Sequence, residues 1–517
     1  MQLHPIGRIV GFVVLTGLCL TKPHFAFGET RLPEGVVLMK PRTPDFIVAE
    51  MQAMNEKLRG DLQPQDNAVV WLLQALGTEC IGPELKEPTL EMLGIQSLSP
   101  NGPELEKLET FGRRREKAGK NYAKEADDFN KGLLEGPSRQ WKREEFESYA
   151  AYLDESAAAF DLIAAAVQQK GYYWPQISTE TPQRLISTSY GLELRLVFLT
   201  KLLTSRANLR IQEGDIPGAQ TDLMTLHRLA ALMSHGSPFD VSVVKAHLID
   251  SFAYSSERVL LESGKLTAET AKSWLKQLSD APRIAPAAII ADQGERAIIR
   301  QEIALVRLNP EELKSMFEDP REVEKAEATG KPKPPKPLPK IDWKIAVQRG
   351  EEIQDQVRDA LATGDPSEQA AKFDTLDREY AEWDEKLDAT TQQMLDNLSK
   401  KNDWEGASRY LGESMARALK THYRQRQATD DRSNSRRDQI MVGLALICQQ
   451  RETGEFPQML SEVNPDILSK IPDDPNTHEP FAYQKEAKES ALLISWGTNR
   501  MDDAGKFPSD DQIIRLR

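Results

Sequence analysis

Leu192 to Met233 reads LELRLVFLTKLLTSRANLRIQEGDIPGAQTDLMTLHRLAALM. Leu192, Leu196, Leu199 and Leu203 recur at steps of four, three and four, which lines them up on one stripe of an amphipathic helix. Gly214-Asp215-Ile216-Pro217-Gly218 interrupts that helix. Leu223, Leu226, Ala230 and Met233 then resume the stripe. Val244, Leu248, Phe252 and Val259 continue it in a third helix. Helices joined by short Gly/Asp turns are antiparallel neighbours by default.

The pattern extends in both directions. Ala207 to Ala219, with Glu213-Gly214-Asp215 leading into the second helix, resembles one hairpin of a tetratricopeptide repeat. No 34-residue period accompanies it, and a solenoid needs several stacked repeats. The expectation is therefore a mainly α protein, an irregular antiparallel helical array, over residues 29–318, with an extended lead-in at 29–48. Residues 319–340 form a Pro/Lys-rich linker. Within it GKPKPPKPLPK (Gly330 to Lys340) has too many prolines to stay helical. A second helical segment is expected at 341–431, with Trp343 and Trp383 as packing anchors. A long helical pattern runs from about Glu405 to Arg451, with a predicted interruption near Asp430 to Ser435. After Gly454 the composition turns to short β-prone runs. Pro480 to Gln484, Ala491 to Trp496 and Gln512 to Leu516 are expected to form a small antiparallel sheet, making 432–517 a helix-plus-sheet module.

Residues 1–28 read as a signal peptide. Arg8 supplies the positive end, and Ile9 to Leu20 is an apolar run of about a dozen residues, short of the roughly 30 Å needed to span hydrocarbon. Ala26 and Gly28 place a cut before Glu29. An uncleaved N-terminal anchor is the rival. A lipoprotein signal is disfavoured by Leu18 before Cys19, and a prepilin signal by the missing acidic residue after Gly11-Phe12. Both readings predict export, to the periplasm or cell envelope. After cleavage Cys80 and Cys448 remain, either as one disulfide or as two separate thiols.

The chain carries 66 basic and 80 acidic residues in 517, a formal net charge of −14. No nucleic-acid partner is expected from that balance. With 39% hydrophobic and 28% charged residues, the composition is globular and multi-span membrane insertion is excluded.

One module has a recognisable order of short features. A long helix is followed by Gly454-Glu455-Phe456-Pro457-Gln458-Met459-Leu460, then Pro472-Asp473-Asp474-Pro475, then Pro480-Phe481-Ala482-Tyr483. Last comes Ser495-Trp496-Gly497-Thr498-Asn499-Arg500-Met501-Asp502-Asp503-Ala504-Gly505. Residues 432–505 resemble the C-terminal part of the type II secretion major pseudopilins. The resemblance is closer to the pseudopilin-like tails of exported proteins from planctomycete-like bacteria. It implies a structural calcium ion (Ca2+) in the last turn, with Asn499, Asp502 and Asp503 as its ligands. Calcium takes six to eight oxygens, which such a turn can supply, although Asp-Asp-x-Gly is also an ordinary turn. The chain departs from a pilin subunit in placing some 400 residues ahead of the sheet, so assembly into a pilus is not expected.

Local catalytic signatures are missing: there is no HExxH, GxSxG, GxxxxGK[ST] or glycine-rich dinucleotide turn. No catalytic residue is therefore assigned. His227, His235 and His247 are spaced by eight and twelve, which does not make a one-face metal pair. Glu144-Glu145 and Asp127-Asp128 are pairs that 80 carboxylates produce by chance. Gly171-Tyr172-Tyr173-Trp174-Pro175 could line a groove or plug a gap between helices. The leading expectation is a non-enzymatic exported protein that binds or scaffolds a protein partner in the cell envelope. The rivals are an exported hydrolase whose site is assembled from dispersed residues around the aromatic loop, and a secretion-system accessory protein.

Overall fold

The computed structural model describes residues 37–38, 49–188, 191–237, 239–317, 340–419, 422–497, 501 and 511–517. The expected signal peptide at 1–28 lies outside these residues, as does the linker at 319–340 apart from Lys340. The fold is mainly helical, as the periodicity predicts. Its principal helices are α1 (Ala49–Arg59), α2 (Ala68–Leu76), α3 (Gly191–Glu213), α4 (Ile216–Gly236), α5 (Asp240–Glu262) and α6 (Ala268–Asp280), followed by α7 (Arg296–Leu308), α8 (Trp343–Leu361), α9 (Pro366–Lys401), α10 (Trp404–Ala418) and α11 (Tyr423–Thr453). Two short strands, β1 (Val37–Leu38) and β2 (Ile95–Ser97), pair antiparallel near the start.

The α3–α4 hairpin follows from its turn. Gly214 takes φ +85°, open to glycine without strain. The side chain of Asp215 accepts from the Gly218 N–H at the start of α4, where Pro217 needs no donor. All four leucines of the α3 stripe and all four apolar residues of the α4 stripe are buried.

The third stripe is a correction. On α5, Val244 is 56% exposed and Leu248 41%, so these two of the four positions chosen from the sequence face outward, whereas Val259 is buried at 8%. The buried face of α5 carries Ser242, Asp250, Ser256 and Glu257 beside Val243, Ala246, Ile249 and Ala253. Hydrophobic periodicity mistakes such a helix because it buries charge, which is tolerated only when partners satisfy it.

One apolar cluster runs from α1 through α6 and continues into α11 and the C-terminal sheet, taking in Phe456, Phe481, Leu493, Ile514 and Leu516. Val442 to Cys448 of α11 are all buried, the signature of a helix enclosed on every side. A second cluster joins α7, α8 and α10 through Ile303, Ile353 and Leu411.

Helices α8 and α10 cross at Gly350 and Gly412. A Cβ on Gly412 would lie 2.0 Å from the Ala346 carbonyl oxygen, a backbone atom that cannot step aside. Alanine favours a helix over glycine by about 1 kcal/mol, yet overpacking costs about 1–3 kcal/mol or more. Gly412→Ala should therefore lower the urea midpoint. An unchanged or higher midpoint would contradict the close crossing.

Helix α11 passes through Asp430 to Ser435 without the expected interruption. The helical pattern instead ends at Ala418 and resumes at Tyr423. Two of the polar residues responsible for the predicted break are satisfied by distant partners. Asp430 accepts from the Ala287 N–H, and the Ser435 hydroxyl donates to Asp474 at 2.6 Å.

The helix closes on Gly454, left-handed at φ +86°, whose N–H reaches the Gln450 carbonyl. Beyond it the two-residue strands β3 (Asp473–Asp474) and β4 (Glu479–Pro480) pair antiparallel. A three-stranded antiparallel sheet then follows in the order β5 (Ala482–Ala487), β6 (Ser490–Ser495), β7 (Gln512–Leu516), as the short β-prone runs predict. Ala491 and Leu493 of β6 sit opposite Leu516 and Ile514 of β7, and this buried alternate face packs on α11.

Candidate functional site

The inward polar face of α5 meets α11 along a seam that holds a cluster of buried ionisable side chains. His227 projects from α4 into this seam with 2% side-chain exposure. Its Nδ1 lies 2.7 Å from Asp250 Oδ1, and its Nε2 lies 3.3 Å from Glu257 Oε2. Trp274 of α6 donates its indole N–H to the other oxygen of Glu257 at 2.9 Å. Ser433 of α11 donates to Asp250 Oδ2 at 3.1 Å, and the Tyr254 ring leans on the imidazole with centroids 4.8 Å apart. The two carboxylates raise His227 to about 9 against the pull of burial. Asp250 is held below the usual carboxylate range by the same imidazole. A histidine protonated at neutral pH, with each ring nitrogen at a carboxylate, is a structural cation rather than a general base.

Two clefts open along the seam, and Tyr254 lines both. The smaller, about 220 Å³, is lined by His247, Asp250, Arg283, Asp430, Ser433 and Arg437 among others. His247 Nε2 lies 3.1 Å from Asp430 Oδ1. Arg283 pairs with Asp438 and donates to Asn434 at 2.7 Å. Arg437 turns away and donates to the carbonyls of Leu278, Ala281 and Pro282, closing the C-terminal end of α6. The larger cleft, about 430 Å³, lies between α5, α11 and β7 and is lined by Arg258, Arg432 and Arg436 opposite Ile513 and Ile514.

Two of the three central histidines reach the seam, His227 from α4 and His247 from α5. His235 instead faces the Arg283 carbonyl at 3.1 Å. Among the described residues no group of three or more His, Cys, Asp or Glu side chains is placed to hold a metal ion. Asn499, Asp502 and Asp503, with the calcium ion implied for them, lie outside the described residues.

The aromatic loop proves to be packing. Tyr172, Tyr173 and Trp174 are 2–3% exposed. Two asparagine side chains clamp the loop. Asn67, the N-cap of α2, exchanges two hydrogen bonds with the Tyr173 backbone, and Asn55 of α1 exchanges two with the Gln176 backbone. The pairs Glu144-Glu145 and Asp127-Asp128 lie at neither cleft. Cys80 and Cys448 are free thiols.

Sequence reasoning missed Asp250, Glu257, Asp430, Arg432 and Arg436. One signal was available: Asp430 to Arg437 (DDRSNSRR) packs five charges into a stretch that stays helical, which requires partners for the side turned inward.

No protein-family model matches the chain, and neither does any curated protein or solved structure. Among the described residues no helix is long and apolar enough to cross a membrane.

Proposed function

We propose that this chain is a non-enzymatic protein exported to the cell envelope, where its helical array binds or scaffolds a protein partner and its tail serves as a pseudopilin-like module. The observation that best supports the reading is the state of His227, which is enclosed, paired on both nitrogens and raised to about 9. His227 is thus spent on joining α4 to α5. Residues 1–28 support export, and the motif order through 432–505 supports kinship with secretion-type modules, which leaves an accessory role in secretion within the same reading.

In-cell crosslinking of a tagged full-length chain, followed by fractionation, tests this. The expected result is envelope-associated protein lacking its leader, crosslinked to a protein partner. Recovery of the intact chain from the cytoplasm would refute export, and a chain recovered alone would refute the scaffold.

One observation favours the hydrolase reading. Ser433, His247 and Asp430 line a single cleft, with His247 Nε2 on the aspartate and Nδ1 making no hydrogen bond. The wiring falls short of a nucleophile and base. Ser433 donates to Asp250, and His247 Nδ1 is buried from solvent.

A further inference from the structure

Arg432 and Arg436 stand one turn apart on α11, both half-buried, and both line the larger cleft. Other arginines on the same helix have partners. Arg426 pairs with Asp240 and Glu295, Arg437 holds three carbonyls, and Arg451 donates to the Leu266 carbonyl at 2.9 Å. Arg432 and Arg436 make no ion pair and no hydrogen bond among the described residues. Arg258 adds a third guanidinium to the cleft while keeping a 3.8 Å contact with Glu262. Asp511 contributes one carboxylate to the same lining.

Half-buried guanidinium groups of like charge side by side are unfavourable unless an anion joins them. Burial and the charge of Arg432 together lower the pKa of Arg436. The apolar part of the lining is Ile440, one turn beyond Arg436 on α11, and Ile513 and Ile514 of β7. The cleft of about 430 Å³ is large enough for a small organic molecule rather than a bare ion alone.

We propose that this cleft is a binding site for a small organic oxyanion, a phosphate or carboxylate clamped between Arg432 and Arg436, with its apolar body against the isoleucines. Planar guanidinium groups suit such a ligand because each offers parallel donors to two oxygens. The inference is independent of the scaffold reading and of cellular location.

Thermal unfolding of the full chain tests it, with inorganic phosphate, phenyl phosphate and benzoate added at constant ionic strength set with sodium chloride. The expected result is a saturable rise in Tm of a few degrees with each. Phenyl phosphate should half-saturate at a several-fold lower concentration than inorganic phosphate, because its ring buries apolar surface. The rise should vanish in Arg432→Gln/Arg436→Gln and persist in Arg409→Gln, an exposed arginine of α10 paired with Glu405. In the absence of added anion, the double variant should keep or exceed the wild-type Tm, since it removes a repulsion. No saturable rise, or one equal in the double variant, would overturn the proposal. So would a marked fall in Tm of the anion-free double variant, which would mean that the arginines serve an acidic group of the chain itself.

Discussion

Replacing His227 by alanine is expected to lower the unfolding free energy by about 3–5 kcal/mol, the usual result of removing one partner from a buried ionic set. The substitution leaves Asp250 and Glu257 inside the seam without the cation between them. Glu257 keeps the Trp274 indole N–H and Asp250 keeps Ser433, but these neutral donors do not offset two buried negative charges. The wild type should also show a characteristic pH dependence. His227 has an ordinary pKa of 6.5 and is raised to about 9 in the fold, so folding takes up a proton. Its contribution is complete below pH 6.5 and is lost as pH rises through about 9, at roughly 1.4 kcal/mol per pH unit between them. On the acid side, Asp250 is lowered, so its contribution is lost as pH falls through the carboxylate range. Urea denaturation at pH 6.5 and pH 9 checks the histidine's contribution, and a further series down through the carboxylate range checks that of Asp250. Equal stability of the wild type at the two values, or a His227→Ala variant with wild-type stability, would show that the seam does not depend on the imidazolium.

Phe456→Ala should cost about 3–5 kcal/mol, the range for truncating a fully enclosed aromatic ring. Phe456 follows directly on the turn that ends α11, is 0% exposed, and donates its N–H to the Lys488 carbonyl at 3.0 Å. Its ring belongs to the cluster that also contains residues of α1 to α6. The loss should consequently appear as one cooperative transition at lower denaturant, with circular dichroism and tryptophan fluorescence shifting together. A tail that melts separately, ahead of an unchanged main transition, would show that the cluster is two cores in contact.

The parts of the fold that were legible in the sequence are those where local pattern and burial agree. The leucine stripes of α3 and α4 point inward, the Gly214 to Gly218 turn makes a hairpin, and the runs ending in Leu516 make a sheet. Elsewhere the determinant lies far along the chain. The outward positions of Val244 and Leu248 on α5 could not be recognised without His227 and Ser433, which neutralise its polar inner face. The continuity of α11 through Asp430 depends on Ala287 and His247, and that through Ser435 on Asp474. The aromatic loop at Tyr172 to Trp174 could not be read as packing until Asn55 and Asn67 were seen to clamp it. The candidate clefts suffer most from this, because each is assembled from helices about 170 or more residues apart, with no spacing rule to connect them. Asp474 shows the intermediate case. Its place in the Pro472 to Pro475 motif was visible, but not its burial or its role in tying α11 to the sheet through Ser435 and the Asn476 N–H.

The two free cysteines among the described residues act as a pair of internal clocks. Attack by a thiol reagent requires the thiolate, and both side chains resist forming it: Cys80 is pushed up to about 11 by burial, and Cys448 is raised by burial and the nearby Glu452. Cys80 is half-buried beside the start of α3, whereas Cys448 is wholly enclosed on α11 within the shared core. The slower clock therefore runs only when α11 parts from its surroundings, while the faster one also registers small local openings. The ratio of their rates separates breathing at the surface from rupture of the centre, with no substitution introduced.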